Sequence, residues 1–172
     1  MISLLPFEET DYAQLIAWVP DEEMLMQFAG PHFTFPLTTE QLELSLSDTN
    51  RIAYKILHNA DQIIIGHAEI VLEDASTALL SRILIGEMAY RGKGLALPLV
   101  SQLLTLAFHQ PGIEEISLNV FDWNIPAIKS YQRAGFRINK GKTLTRYVNN
   151  KTWTGLNMRL NRKTWEDLHK NI

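Results

Sequence analysis

Apolar residues along this chain recur in two rhythms, alternate positions in some segments and every third or fourth position in others, and the switches between them outline the elements. The stretch "ISLLPF" reads as a short strand over residues 2–7. In "ETDYAQLIAWV" the apolar positions Tyr12, Leu15, Ile16 and Val19 fall at helical spacing, with Thr10 or Asp11 placed to cap. "DEEMLMQF" predicts a second helix. A loop with two prolines and a glycine then carries His32, Phe33 and Phe35 before a third helix, marked by Thr38 with Gln41 three residues on. "RIAYKIL", "QIIIGHAEIVLE" and "LLSRILIGE" are rich in β-branched residues and separated by "HNADQ" and "DAST", which predicts an antiparallel meander. From residue 94 to residue 109 the period becomes helical again, through Leu95, Leu99, Leu103 and Leu106 with Val100 and Leu104 alongside. "EISLNVF" is a strand, and "NIPAIKSYQRAGF" a helix with Pro126 in its first turn and Gly135 as its stop. A hairpin about "NN" in "RYVNNKTWTGLNMRL" and a terminal helix presenting Trp165, Leu168 and Ile172 complete the chain. The order β-α-α-α-β-β-β-α-β-α-β-β-α describes an α+β fold, a mixed and mostly antiparallel sheet flanked by helices. No repeat or linker divides residues 1–172, so one domain is expected.

Composition narrows the function classes. Apolar residues make up 46% of the 172, charged residues 20%, and the formal net charge is −3, an ordinary globular balance. No Lys/Arg stripe exists for a phosphate backbone, so nucleic acid is not an expected partner. No apolar run is long enough to span a bilayer, and "MISLLPFEETDY" lacks the features of a secretory leader, so a cytoplasmic protein without a membrane partner is expected. There is no cysteine, which excludes disulfides, thiolate zinc sites and a cysteine-linked intermediate; no metal is expected.

The chemistry concentrates at "YRGKGLA", where a predicted strand passes directly into a helix. The unpaired N–H groups of a helix's first turn attract anions, and Gly92 and Gly94 have no Cβ to hold a phosphate away from the backbone. Arg91 and Lys93 add positive charge, Ala96 leaves room, and Pro98 sits in the first turn where a missing N–H costs little. The segment is neither a P-loop nor a dinucleotide GxGxxG, since position 97 is Leu. Taken alone, a tight turn with solvated charges accounts for it equally well.

A second motif changes the weighing. "RGKGLA" has the form [QR]-x-x-G-x-[GA], and "NIPAIKSYQRAGF" has the form N-x-x-A-x-x-x-Y-x-x-x-G-F. In this order and spacing the pair resembles the acyl-CoA pocket of the GNAT family of N-acetyltransferases. The N-terminal segment with "FPLT" resembles the branch holding ribosomal-protein and aminoglycoside N-acetyltransferases. The resemblance implies acetyl-CoA as co-substrate and an amine acceptor, a small molecule or a protein N-terminus, attacking the thioester directly. It implies that backbone N–H groups of Arg91, Gly92, Lys93, Gly94, Leu95 and Ala96 hold the pyrophosphate. The pantetheine arm would pair with Ile83, Leu84 and Ile85, where this strand and the next splay apart. Asn124 would lie near the pantetheine, and Tyr131 would protonate the departing thiolate, with Ala127 one turn earlier leaving space beside its ring. A Tyr with an ordinary pKa of about 10 can do this when held within hydrogen-bond reach. The same residue could equally be a core aromatic.

A base is less easily placed. An amine of pKa about 10.4 is neutral to only a few parts in ten thousand at pH 7, whereas an α-amine near 7.8 is neutral to roughly one part in ten. Candidates are Glu87, before the turn, and Glu69, which alternation puts on one strand face with His67. The position that holds a strand glutamate in some members of the family falls near Leu80 or Ser81, neither of which accepts a proton usefully. A non-catalytic acyl-CoA-binding or regulatory module therefore stands as the rival, and a phosphate-binding domain for another nucleotide as a third. The terminal helix with Trp165, or the late strands, would serve as the interface of a homodimer.

Overall fold

The computed structural model describes residues 1–170. Seven strands form a single sheet: β1 (Ile2–Pro6), β2 (Arg51–His58), β3 (Ile63–Leu72), β4 (Thr77–Ile85), β5 (Glu115–Phe121), β6 (Arg137–Val148) and β7 (Lys151–Asn161), in spatial order β1-β2-β3-β4-β5-β7-β6. The helices are α1 (Tyr12–Ala17), α2 (Glu22–Ala29), α3 (Thr39–Leu46), α4 (Ala96–Phe108), α5 (Ile125–Arg133) and α6 (Arg162–His169). The element order is the one the apolar pattern predicts. No helix among the described residues is long and apolar enough to cross a membrane.

All neighbouring strands pair antiparallel except β4 and β5. A parallel pair needs a crossover, and α4 supplies it. It buries Leu99, Val100, Leu103, Leu104, Ala107 and Phe108 in one core with Ile65, Ile116 and Leu118. Truncating a side chain such as Leu103, fully buried here, typically costs about 2–5 kcal/mol. A second, smaller core gathers Leu15, Val19, Leu25, Phe28, Leu37 and Leu42 from α1, α2, α3 and their loops.

The β4–β5 ladder is short. It runs from Thr77 opposite Glu115 to Leu80 opposite Leu118 and then stops, although both strands continue. A bulge in β4 accompanies the parting. Between the pairs Glu69–Ser81 and His67–Leu84, β4 contributes Arg82 and Ile83 against the single Ala68 of β3, and Arg82 has a φ of 50°. An extra residue bends a strand and exchanges its faces. Accordingly Ala78 and Leu80 pack in the first core, whereas Leu84 packs in the second.

Several boundaries differ from expectation. Asp11 does not cap α1: its carboxylate turns back to accept from the Glu8 amide at 2.8 Å, and a 3-10 turn over Glu9–Asp11 precedes the helix. Thr10 does not act as the cap either, since no side chain caps α1 at its N-terminus. Asp21 and Thr38 cap the next two helices, accepting from Met24 and Gln41. Helix α4 begins at Ala96 rather than at Gly94, because Gly94 has a φ of +75°. Strand β6 starts at Arg137, well before "RYV", with a register shift between Ile138 and Thr143; the hairpin turns at Asn149 and Asn150, both with positive φ. Trp165, partly buried, packs against Phe108 at the edge of the first core with ring centroids 4.9 Å apart. The expectation for Ile172 lies outside the described residues.

Candidate functional site

Where β4 and β5 part, their facing edges beyond Leu80 and Leu118 are left without ladder partners. The gap opens into a cleft of about 170 Å³ that is open to solvent. One wall carries Leu80, Ser81, Arg82, Ile83 and Leu84 of β4, the other Leu118, Asn119, Val120 and Phe121 of β5. Asn124 and Tyr131 line it from α5, and α2 with its following loop and the β6–β7 pair close the far side.

Tyr131 reaches the cleft because α5 is aimed by its ends. The Asn124 side chain accepts from the Ala127 amide at 3.4 Å, Pro126 sits in the first turn, and Gly135 ends the helix with a φ of +104°. The face so presented buries Ile128 and Tyr131. Burial pushes the Tyr131 hydroxyl up to about 12, so it stays protonated throughout the neutral range. Ile85, the third strand residue predicted to meet a pantetheine, lies just past the cleft, and its carbonyl accepts from Arg91 Nε at 2.8 Å.

The turn after β4 is a set of donors without acceptors. Among the described residues no acceptor engages the amides of Gly92, Lys93, Gly94 and Leu95, and no side chain caps the start of α4. Gly92 and Gly94 have φ of +72° and +75°, yet a Cβ at either would meet nothing within 4 Å; backbone conformation, not crowding, demands glycine. Both cations are partly engaged by the protein itself. Arg91 bridges the carbonyls of Ile85 and Gly86, and Lys93 Nζ lies 5.2 Å from the Tyr90 ring centroid. Leu95 and Ala96 follow directly and lead into the helix.

The two carboxylate candidates occupy different surroundings. Glu69 is buried, as is His67 beside it, with His67 Nε2 2.9 Å from its Oε1. Arg82 Nη1 donates to Oε1 at 3.1 Å, and Arg51 Nη1 donates to Oε2. Burial would raise the Glu69 carboxyl, but the hydrogen bond and charge of His67, with the charges of Arg82 and Arg51, overcome it and hold the group down at about 2. A carboxylate so stabilised is a feeble proton acceptor. Glu87 accepts from Trp18 Nε1 at 3.1 Å and does not line the cleft.

Three cleft residues were not singled out from the sequence as a set: His32, Arg82 and Arg146. They come from the loop after α2, the β4 bulge and β6, so no local spacing links them. Arg82 lies under Phe33, its guanidinium carbon 4.1 Å from the ring centroid, and its Nη1 also donates to Ser45 at 2.8 Å. Just outside the cleft, past Met24 and Gln27, Trp123 and Trp153 pack edge to face at 5.2 Å beside Asp21 and Glu23.

Residues 2–137 match the family model described as an acetyltransferase (GNAT) domain. The fold is similar to that of spermidine N-acetyltransferase from Vibrio cholerae, solved in complex with CoA and spermine: TM-score 0.79, 20% identity, over 96% of this chain and 98% of that one. It is also similar to aminoglycoside acetyltransferase AAC(6')-Ib in complex with coenzyme A, with a TM-score of 0.73 at 21% identity over 98% and 99% of the two chains.

Proposed function

The chain belongs to the GNAT family of N-acetyltransferases, and from that premise we propose that it moves the acetyl group of acetyl-CoA to a primary amine inside the gap between β4 and β5. The parting of the two strands after Leu80 and Leu118, with Tyr131 on the wall of the opening, is the observation that carries this proposal. An amide-bearing pantetheine arm fits such a gap as an added strand, pairing with residues 83–85 along an edge that has no strand partner, although Arg91 already occupies the Ile85 carbonyl. Its pyrophosphate meets the unpaired amides of Gly92, Lys93, Gly94 and Leu95, where the glycines permit close approach and the α4 terminus favours negative charge; the Arg91 amide, expected to join them, is committed to the Met88 carbonyl at 3.1 Å. Asn124 then lies beside the arm.

The chemistry is a direct displacement. The amine nitrogen attacks the thioester carbonyl, the C–N bond forms, the C–S bond breaks, and the sulfur leaves as thiolate. Tyr131, held protonated by its burial, donates to that sulfur and regains a proton from the solvent to which the amine loses its own. Glu69, locked between two guanidiniums, holds Arg82 and the bulge in place rather than taking a proton. Glu87, engaged by Trp18, braces the segment leading to the turn.

The test is release of CoA thiol from acetyl-CoA across a panel of primary amines, repeated with Tyr131→Phe. Turnover that collapses in the variant while CoA still binds supports transfer. Tight CoA binding with no turnover on any amine leaves the rival, a non-catalytic acyl-CoA-binding module.

A further inference from the structure

Resting on the acetyl-transfer function proposed above, we infer that the acceptor is an amine carrying its own carboxylate or phosphate, not a polycation. Among the described residues the basic side chains lining the cleft are His32, Arg82 and Arg146, and no Asp or Glu lines it. The carboxylates nearby are engaged elsewhere. Glu69 is shared by two guanidiniums and His67. Asp21 caps α2 through the Met24 amide at 2.7 Å, and Glu23 meets Lys151 at 3.3 Å and Asn149 at 3.4 Å, both on the outer side of Met24 and Gln27.

The cations are not balanced in the same way. Arg51 and Arg82 face a single carboxylate, which leaves positive charge in excess at the β4 wall. Arg146 donates to the Thr145 carbonyl at 2.9 Å and has no carboxylate partner among the described residues. Nor has His32, whose pKa is lowered first by its partial burial and then by the charges of Arg82, Arg51 and Arg146, the sign of a positive field at that point. A polyamine would bring several ammonium groups into this field with no anion to meet them. An amine with an adjacent carboxylate or phosphate instead supplies the missing anion to Arg146 and His32. The same field favours the neutral form of the attacking amine, which suits a cleft without a carboxylate base.

The experiment compares acceptors at saturating acetyl-CoA and low ionic strength, by thiol release. L-Glutamate, phosphoethanolamine and a peptide beginning with Asp form the anionic arms and separate the sources of the charge; spermidine and kanamycin form the cationic arm. The anionic amines are expected to exceed the polycations in kcat/KM by roughly 10-fold or more. Arg146→Gln should raise the KM of the preferred anionic acceptor by about 10-fold with a smaller change in kcat, Arg146→Lys should restore part of it, and Arg146→Glu should shift preference toward spermidine. Melting temperatures of the variants check that they fold, and Arg146 is only half-buried on a strand face. Fastest turnover of spermidine or kanamycin overturns the inference and leaves acetyl transfer standing. If no amine releases thiol but glutamate or phosphoethanolamine raises the melting temperature of the CoA complex more than spermidine does, acetyl transfer falls and the anionic site stands. If neither happens, both fall.

Discussion

The two ends of the cleft are built from different materials. At the turn after β4, Arg91 braces the strand end and Lys93 lies near Tyr90, so a ligand there meets mainly backbone amides shaped by two glycines of positive φ. At the acceptor end the lining comes from side chains of three distant segments, His32, Arg82 and Arg146, and the two arginines set the charge. Tyr131 stands between the two ends. A backbone site of this kind tolerates changes of surface charge and fails when a dihedral is lost. A side-chain site does the reverse, since each charge there is a large part of the whole.

Substitutions separate the two modes. The largest effect is expected at the junction: Tyr131→Phe should lower kcat by about 10²–10⁴-fold while the KM for acetyl-CoA moves little, as for loss of a positioned proton donor. A fall below tenfold would make Tyr131 a packing residue. On the acceptor side, Glu69→Gln leaves Arg51 and Arg82 without their shared anion and should cost roughly 3–5 kcal/mol in urea unfolding. Its pH dependence has a definite sign. The folded Glu69 carboxyl lies at about 2 against 4.5 ordinarily, so its contribution is complete above about pH 4.5 and is lost as pH falls toward 2. The Gln variant should lack that component of acid destabilisation; parallel curves for the two proteins would contradict the burial and pairing of this group. On the turn side, Gly94→Val forces a β-branched residue to a φ of +75°, a strain of about 1–3 kcal/mol, and should raise the KM for acetyl-CoA by roughly 10-fold. Lys93→Ala, which removes an exposed charge, should change it by less than about fivefold. The opposite order of these last two would mean that charge, not backbone shape, is what the turn supplies.

What could be seen before the fold was known follows the same division. Elements with a single period and a capping residue, such as α3 with Thr38 and α5 with Asn124 and Gly135, were visible because helix signals are local. So was the turn, since Gly92 and Gly94 sit where only glycine adopts the conformation cheaply, and since a second motif followed at fixed spacing. Alternation placed His67 and Glu69 together but could not show Arg51 and Arg82 closing on the carboxylate, because the bulge that turns Arg82 inward uses an arginine, not a glycine, at positive φ. The meeting of His32 with Arg146 depends on sheet order, which brings β6 to the far side of β7. The early start of β6 carries no such signal because "RINKGKT" lies on an edge strand and is exposed apart from the half-buried Asn139, so no buried face imposes an alternation there.

The central claim is that a CoA thioester lies in the parting of β4 and β5 with its pyrophosphate on the turn. Amide hydrogen exchange with and without CoA addresses it directly. Binding should slow exchange at residues 92–95, whose amides have no acceptor among the described residues, and at those amides of the 83–85 stretch of β4 that point away from β3. Saturating CoA that protects other segments and leaves both of these unchanged would contradict it.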